Sequence, residues 1–113
     1  MKNKKYKLGV RKGEEKMKIL LVCAGGMSTG LLMKKMKDYW AEQGEELTID
    51  AVGLAEYKDV YQNYECVLVG PQVRYKLEDI KKDTGLPADV VNSLDYAIAN
   101  CPNIMNQVKK LLG

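Results

Sequence analysis

Histidine is absent from this sequence of 113 residues. The commonest general base of enzymes is therefore missing. Any cysteine chemistry must use a thiolate activated by something other than imidazole. Cysteine itself is scarce: Cys23, Cys66 and Cys101 are odd in number, far apart, and form no Cys-x-x-Cys pair. That pattern argues against a disulfide scaffold and, without histidine, against a zinc site, so no metal and no cofactor are expected. No apolar run is long enough to cross a bilayer. The basic first residues are not followed by the apolar stretch of a signal peptide. The expectation is a cytoplasmic protein that does not itself span a membrane. The net charge of +3 is mild, and no stripe of basic residues interleaved with aromatics suggests nucleic acid. There is no internal repeat and no sign of a second domain, and the length suits one domain with one core.

What is present is organised around Lys18-Ile19-Leu20-Leu21-Val22-Cys23-Ala24-Gly25-Gly26-Met27-Ser28-Thr29-Gly30-Leu31-Leu32. An apolar run ends on a cysteine, a small glycine-rich loop follows, and an amphipathic stretch begins. The order reads as strand, anion-binding loop, helix. Before it, residues 1–16 are rich in lysine, glycine and glutamate without usable periodicity, and read as a disordered or loosely helical extension. Met17, directly before the strand, is a candidate native start.

Residues 19–22 have the continuous apolar character of a strand buried on both faces. Ser28 or Thr29 is placed to cap the next helix, in which Leu32, Met36, Tyr39 and Trp40 recur on one face while Lys34, Lys35 and Lys37 face away. Gln43-Gly44 ends it. Residues 47–52 alternate as an edge strand with one wet face, and residues 55–63 suit a short helix with Val60 and Tyr57 or Tyr61 turned inward. Residues 66–69 form a second apolar strand stopped by Gly70-Pro71. Val73, Leu77 and Ile80 mark a helix to about Asp83, and Thr84-Gly85-Leu86-Pro87 terminates it. Residues 88–91 give a fourth strand, residues 93–99 a turn or short helix, and Pro102 opens a last helix bearing Ile104, Met105, Val108, Leu111 and Leu112. The fold class is α/β in three layers: a four-stranded parallel sheet in the order 2-1-3-4 with helices on both faces. Its switch point, between strands one and three, brings Cys23 and Gly70 together.

The loop offers an anion several donors. Gly25 and Gly26 let the backbone turn its amides inward. The helix that follows adds free amides and the positive end of its dipole. A thiolate at Cys23 would be stabilised there, lowering its pKa below that of an ordinary cysteine, and a cysteine so placed can attack a phosphoryl donor. A cysteine after an apolar strand can also be a buried small hydrophobe. The two glycines and two hydroxyls beside it favour the reactive reading. Cys66, inside an apolar run, and Cys101, before a proline, lack such a loop and read as structural. Gln72, on the loop after the third strand, and Arg74 are candidates for the site's rim, each also readable as an ordinary surface residue. Tyr75 reads as a core or rim aromatic, and the three lysines as a solvated face.

Cys23-Ala24-Gly25-Gly26-Met27-Ser28-Thr29 with Leu31-Leu32 resembles the active loop of the IIB component of the bacterial phosphoenolpyruvate-dependent sugar phosphotransferase system, lactose/cellobiose family. Val67-Leu68-Val69-Gly70-Pro71-Gln72-Val73-Arg74-Tyr75 and Asp95-Tyr96 agree with it, so the likeness covers residues 17–113 and leaves the first sixteen outside. Asn92 departs from it, since many relatives carry aspartate there. The resemblance implies that Cys23 takes a phosphoryl group from a phosphohistidine of a IIA component. Residues Ala24, Gly25, Gly26, Met27, Ser28 and Thr29 would cradle it. The group then passes to a sugar, such as cellobiose, entering through a membrane-embedded IIC component. The fold is similar to that of the low-molecular-weight tyrosine phosphatases, whose loop is Cys-x5-Arg-Ser. Thr29 and Gly30 stand where those enzymes have arginine and serine, and no later aspartate suggests itself as a general acid. Both departures favour a carrier over a cysteine-dependent phosphatase or an arsenate reductase. A non-catalytic anion-binding module on the same fold is the remaining alternative.

Overall fold

The computed structural model describes residues 16–24 and 29–113. The expected N-terminal extension, except for Lys16, which belongs to the first strand, lies outside them, and so do the loop residues Gly25, Gly26, Met27 and Ser28. Four strands make one parallel sheet in the order β2-β1-β3-β4: β1 is Lys16–Val22, β2 Glu46–Val52, β3 Cys66–Val69 and β4 Ala88–Val90. This is the predicted order. β1 runs three residues further toward the N-terminus than its apolar stretch, because Lys16, Met17 and Lys18 pair with Glu46, Leu47 and Thr48 of the edge strand.

The helices are α1, Thr29–Glu42; α2, Tyr57–Val60; α3, Leu77–Thr84; α4, Ser93–Ile98; and α5, Cys101–Leu112. Two 3-10 turns, Tyr61–Asn63 and Pro71–Lys76, extend α2 and precede α3. Strand periodicity sorts the core into two layers. Ile19 and Leu21 of β1, with Cys66 and Leu68 of β3, pack under Leu32, Met36 and Trp40 of α1 and Ile104, Met105 and Val108 of α5. Leu20 and Val22, with Val67 and Val69, face Tyr57, Val73 and Ile80 on the opposite side. All eight of these strand residues are buried, as a sheet covered on both faces requires. Tyr57 is the aromatic that turns inward from the second helical segment, while Tyr61 is half-buried. Gly44 and Gly85, both with positive φ, close α1 and α3 as predicted.

β4 is one residue shorter than expected, and the break at Val91 leads into a well-capped α4. The Asn92 side chain accepts hydrogen bonds from the backbone amides of Leu94, at 2.9 Å, and Asp95, at 3.2 Å. Asparagine serves here as aspartate would, since either offers a side-chain oxygen to the first-turn amides. Asn103 Nδ2 of α5 then donates to Asp95 Oδ1 at 3.1 Å, tying the two helices together. No described helix is long and apolar enough to cross a membrane.

Candidate functional site

The register aligns Val52, Val22, Val69 and Val90 in one row at the carboxyl ends of the strands. The residues one step beyond are Gly53, Cys23, Gly70 and Val91. Cys23 thus leaves the sheet between two glycines. Hydrogen bonds carry the ladder across this row: Cys23 N–H donates to Val52 O at 3.0 Å, Gly70 N–H to Val22 O at 2.8 Å, and Val91 N–H to Val69 O at 2.9 Å. Gly70 is packed close. A methyl group on it would sit 3.5 Å from Cys23 Cβ and 3.2 Å from Gln72 Oε1. The backbone of Gly70 is ordinary (φ −64°), so side-chain crowding, rather than backbone strain, makes glycine fit there.

Cys23 itself is only 3 % exposed, and its thiol points toward Val52 O at 3.7 Å. It lies deeper than a thiol at the mouth of a cradle, because the ladder bond from its amide holds it at the end of the strand. Ala24, the next residue, is exposed. Thr29 opens α1 and is 2 % exposed. The first turn of α1 carries no acidic residue. Nothing anionic on that turn opposes a charge at the helix's positive end. Thr29, at the position where a phosphatase loop has arginine, brings no charge.

Gln72 and Arg74 are exposed on the turn after β3. With Leu32 and Pro71, and with Ser93, Tyr96 and Ala97 of α4, they line an open cavity of about 600 Å³. Gln72, which lines this cavity, also lies over Gly70, its Oε1 3.2 Å from where a methyl on Gly70 would sit. Tyr96 was quoted in the sequence resemblance without a role, yet it faces this cavity and lies within electrostatic reach of Cys23. Burial, and then the Cys23 charge, push the Tyr96 hydroxyl above the ordinary tyrosine range, so it stays a proton donor. A hint lay in the topology, since the residues following β4 must emerge at the same end of the sheet as those following β1 and β3.

The other sequence candidates fall away from this centre. None of Cys23, Cys66 and Cys101 is in a disulfide. Cys66 is fully buried in β3. Cys101 is buried too, and burial raises its pKa, with Lys35 opposing and Asp38 reinforcing the shift. Lys34, Lys35 and Lys37 are exposed, and Lys34 pairs with Asp38 at 3.1 Å. Tyr75, 72 % exposed, is no core residue, because the 3-10 turn points it outward opposite the buried Val73. Among the described residues no cluster of histidine, cysteine, aspartate and glutamate is arranged to hold a metal.

Residues 18–107 match the family model described as PTS system, lactose/cellobiose specific IIB subunit. The oligo-beta-mannoside-specific EIIB component of Bacillus subtilis (strain 168) is 35 % identical over 98 residues, covering 84 % of this chain and 95 % of that one. The lactose-specific EIICB component of Staphylococcus epidermidis is 33 % identical over 70 residues, 62 % of this chain and 12 % of that longer protein. The solution structure of the cellobiose-specific phosphotransferase IIB component from Borrelia burgdorferi superposes with a TM-score of 0.71. It is 31 % identical and covers 86 % of this chain and 92 % of its own. With the sheet order, the cysteine at the end of the central strand and these likenesses together, the chain belongs to the lactose/cellobiose-specific IIB subunits of the sugar phosphotransferase system.

Proposed function

We propose that this chain is the phosphoryl carrier of its transport system, with Cys23 as the carrying residue. The Cys23 sulfur attacks the phosphorus of a phosphohistidine on a IIA partner. The S–P bond forms as the N–P bond breaks, the electron pair stays on the imidazole nitrogen, and that nitrogen takes up the thiol proton. In the second step a hydroxyl oxygen of the sugar attacks phosphorus and the S–P bond breaks. The hydroxyl proton returns to the sulfur. Ala24, Gly25, Gly26, Met27, Ser28 and Thr29 supply amides and hydroxyls to the three phosphoryl oxygens, and Gln72 and Arg74 stand at the rim. With no histidine in the chain, the donor imidazole belongs to the partner.

The observation that carries this reading is Cys23 at the end of β1, flanked by Gly53 and Gly70 and leading into a helix whose first turn holds no carboxylate. Burial of the sulfur supports a carrier, because a group held there is shielded from water until a partner reaches it. The sugar is a β-linked disaccharide such as cellobiose, imported through a membrane IIC component. The fusion named EIICB in a relative supports that partnership. The chain works in the cytoplasm, against the inner face of IIC.

The test is reconstitution with phosphoenolpyruvate, the general phosphotransferase proteins and a IIA partner. The chain should acquire an iodine-labile phosphate, and Cys23→Ser should abolish it. Steady release of phosphate from p-nitrophenyl phosphate, without stable labelling, would instead identify a phosphatase.

A further inference from the structure

The cavity lined by Gln72 and Arg74 contains two hydroxyl donors that the loop reading does not use, Ser93 and Tyr96, and Tyr96 lies within electrostatic reach of Cys23. Tyr96 is half-buried, and its ring packs against the α1/α5 core layer. Tyr57 and Tyr64 commit their hydroxyls to Asp83 and Asp50. The hydroxyl of Tyr96 has no such bond with any described residue, and Tyr96 lines the same cavity as Gln72 and Arg74. The helix presenting it is capped at its start and tied to α5. Asn92 caps it, the Tyr96 amide donates to Asn92 O at 2.9 Å, and Asp95 is bonded to Asn103 of α5. A side chain on so short a helix is placed accurately only because of these ties.

We propose that Tyr96 contacts the travelling phosphoryl group: its hydroxyl donates a hydrogen bond across the cavity to a phosphoryl oxygen carried on Cys23 and orients the group for transfer. The inference rests on the reading of Cys23 as carrier. Gln72 links the two: it lines the cavity together with Tyr96, and a methyl on Gly70 would meet both Gln72 Oε1, at 3.2 Å, and Cys23 Cβ, at 3.5 Å. Tyr96 itself lies within electrostatic reach of Cys23. Tyr96 keeps its proton throughout, since a dianion nearby disfavours the phenolate still further than the Cys23 charge does. A neutral donor suits a carrier. It steadies the charge without the strong, bidentate grip of an arginine, which favours hydrolysis in the phosphatase arrangement.

The experiment compares the wild-type chain, Tyr96→Phe and Tyr64→Phe in the reconstituted phosphorylation assay, with phosphorus NMR of the phosphorylated protein. Tyr96→Phe should take up phosphate on the order of tenfold more slowly, the effect of one hydrogen bond to a charged group. It should also move the phosphocysteine resonance. Tyr64→Phe, which removes a hydroxyl bonded elsewhere, should change neither. In parallel, with tyrosine labelled at the Cζ carbon, the Tyr96 signal of the wild-type chain should shift on phosphorylation, a readout that does not depend on how the variant folds. A Tyr96→Phe rate and resonance equal to wild type, or a stationary Cζ signal, overturns the inference while leaving the carrier reading intact. A wild-type chain that takes no phosphate overturns both.

Discussion

Gly70 shows how much one hydrogen atom decides at the site. In Gly70→Ala the new methyl would press on Gln72 Oε1 at 3.2 Å and touch Cys23 Cβ at 3.5 Å. Gln72 is exposed and its amide swings aside easily, and the backbone at position 70 suits alanine. The variant should keep its stability to within about 1 kcal/mol. It should be slowed in phosphoryl uptake, because the methyl crowds the Cys23 side chain at its Cβ and displaces Gln72. Stopped-flow labelling and urea unfolding on the same sample separate the two effects. Asn92 makes the opposite case. Asn92→Ala removes the cap from α4 and should cost about 1 kcal/mol in urea unfolding, whereas Asn92→Asp retains an acceptor and should stay near wild type. The place of Cys23 at the end of a central strand and of the glycine after β3 was legible in the sequence, because each directly follows a wholly apolar run. Gly53 and Tyr96 were not. They reach Cys23 only through the pairing of separate strands and the course of the chain after β4, and no local pattern encodes such a meeting.

At the scale of elements, α1 carries the greatest packing load. Trp40 is fully buried beneath it, edge-on to Tyr39 with ring centroids 6.3 Å apart. Trp40→Ala should cost about 3–5 kcal/mol. Trp40 Nε1 has no hydrogen-bond partner among the described residues. Trp40→Phe keeps a ring and sheds that unsatisfied donor, so its cost should fall well below that of alanine in the same denaturation series. Spacing along α1 announced the buried stripe of Leu32, Met36 and Trp40, and the helix came out close to its expected limits. The segment from Pro71 to Lys76 was harder to read. Apolar positions at Val73, Leu77 and Ile80 fit one helix, but Val73 takes a non-helical backbone (φ −121°, ψ 27°), and the segment becomes a 3-10 turn leading into α3. That kink sends Tyr75 outward and leaves Gln72 over Gly70.

Across the whole molecule, two tyrosine–aspartate pairs stabilise the α2 side of the sheet and its edge. Tyr57 donates to Asp83 at 2.5 Å and Tyr64 to Asp50 at 2.6 Å. Burial comes first and the carboxylate bonds second in pushing both hydroxyls from 10.0 up to about 12. The folded chain therefore holds these protons more tightly than the unfolded chain. Their stabilising effect is complete below pH 10 and disappears as the pH rises toward 12. Thermal unfolding should show stability falling over that window, and Tyr57→Phe with Tyr64→Phe should flatten the fall. The sheet order was readable from the sequence because two wholly apolar strands must be central and the alternating one must lie at an edge. The tyrosine–aspartate pairs were not, since each joins residues far apart in the sequence.

The most direct test of the central claim is peptide mass mapping after phosphorylation by the upstream phosphotransferase proteins. The account predicts one added phosphoryl group, on the peptide containing Cys23, discharged when IIC and its sugar are supplied. A phosphoryl group on any other residue, or none at all while the upstream proteins are fully charged, would contradict it.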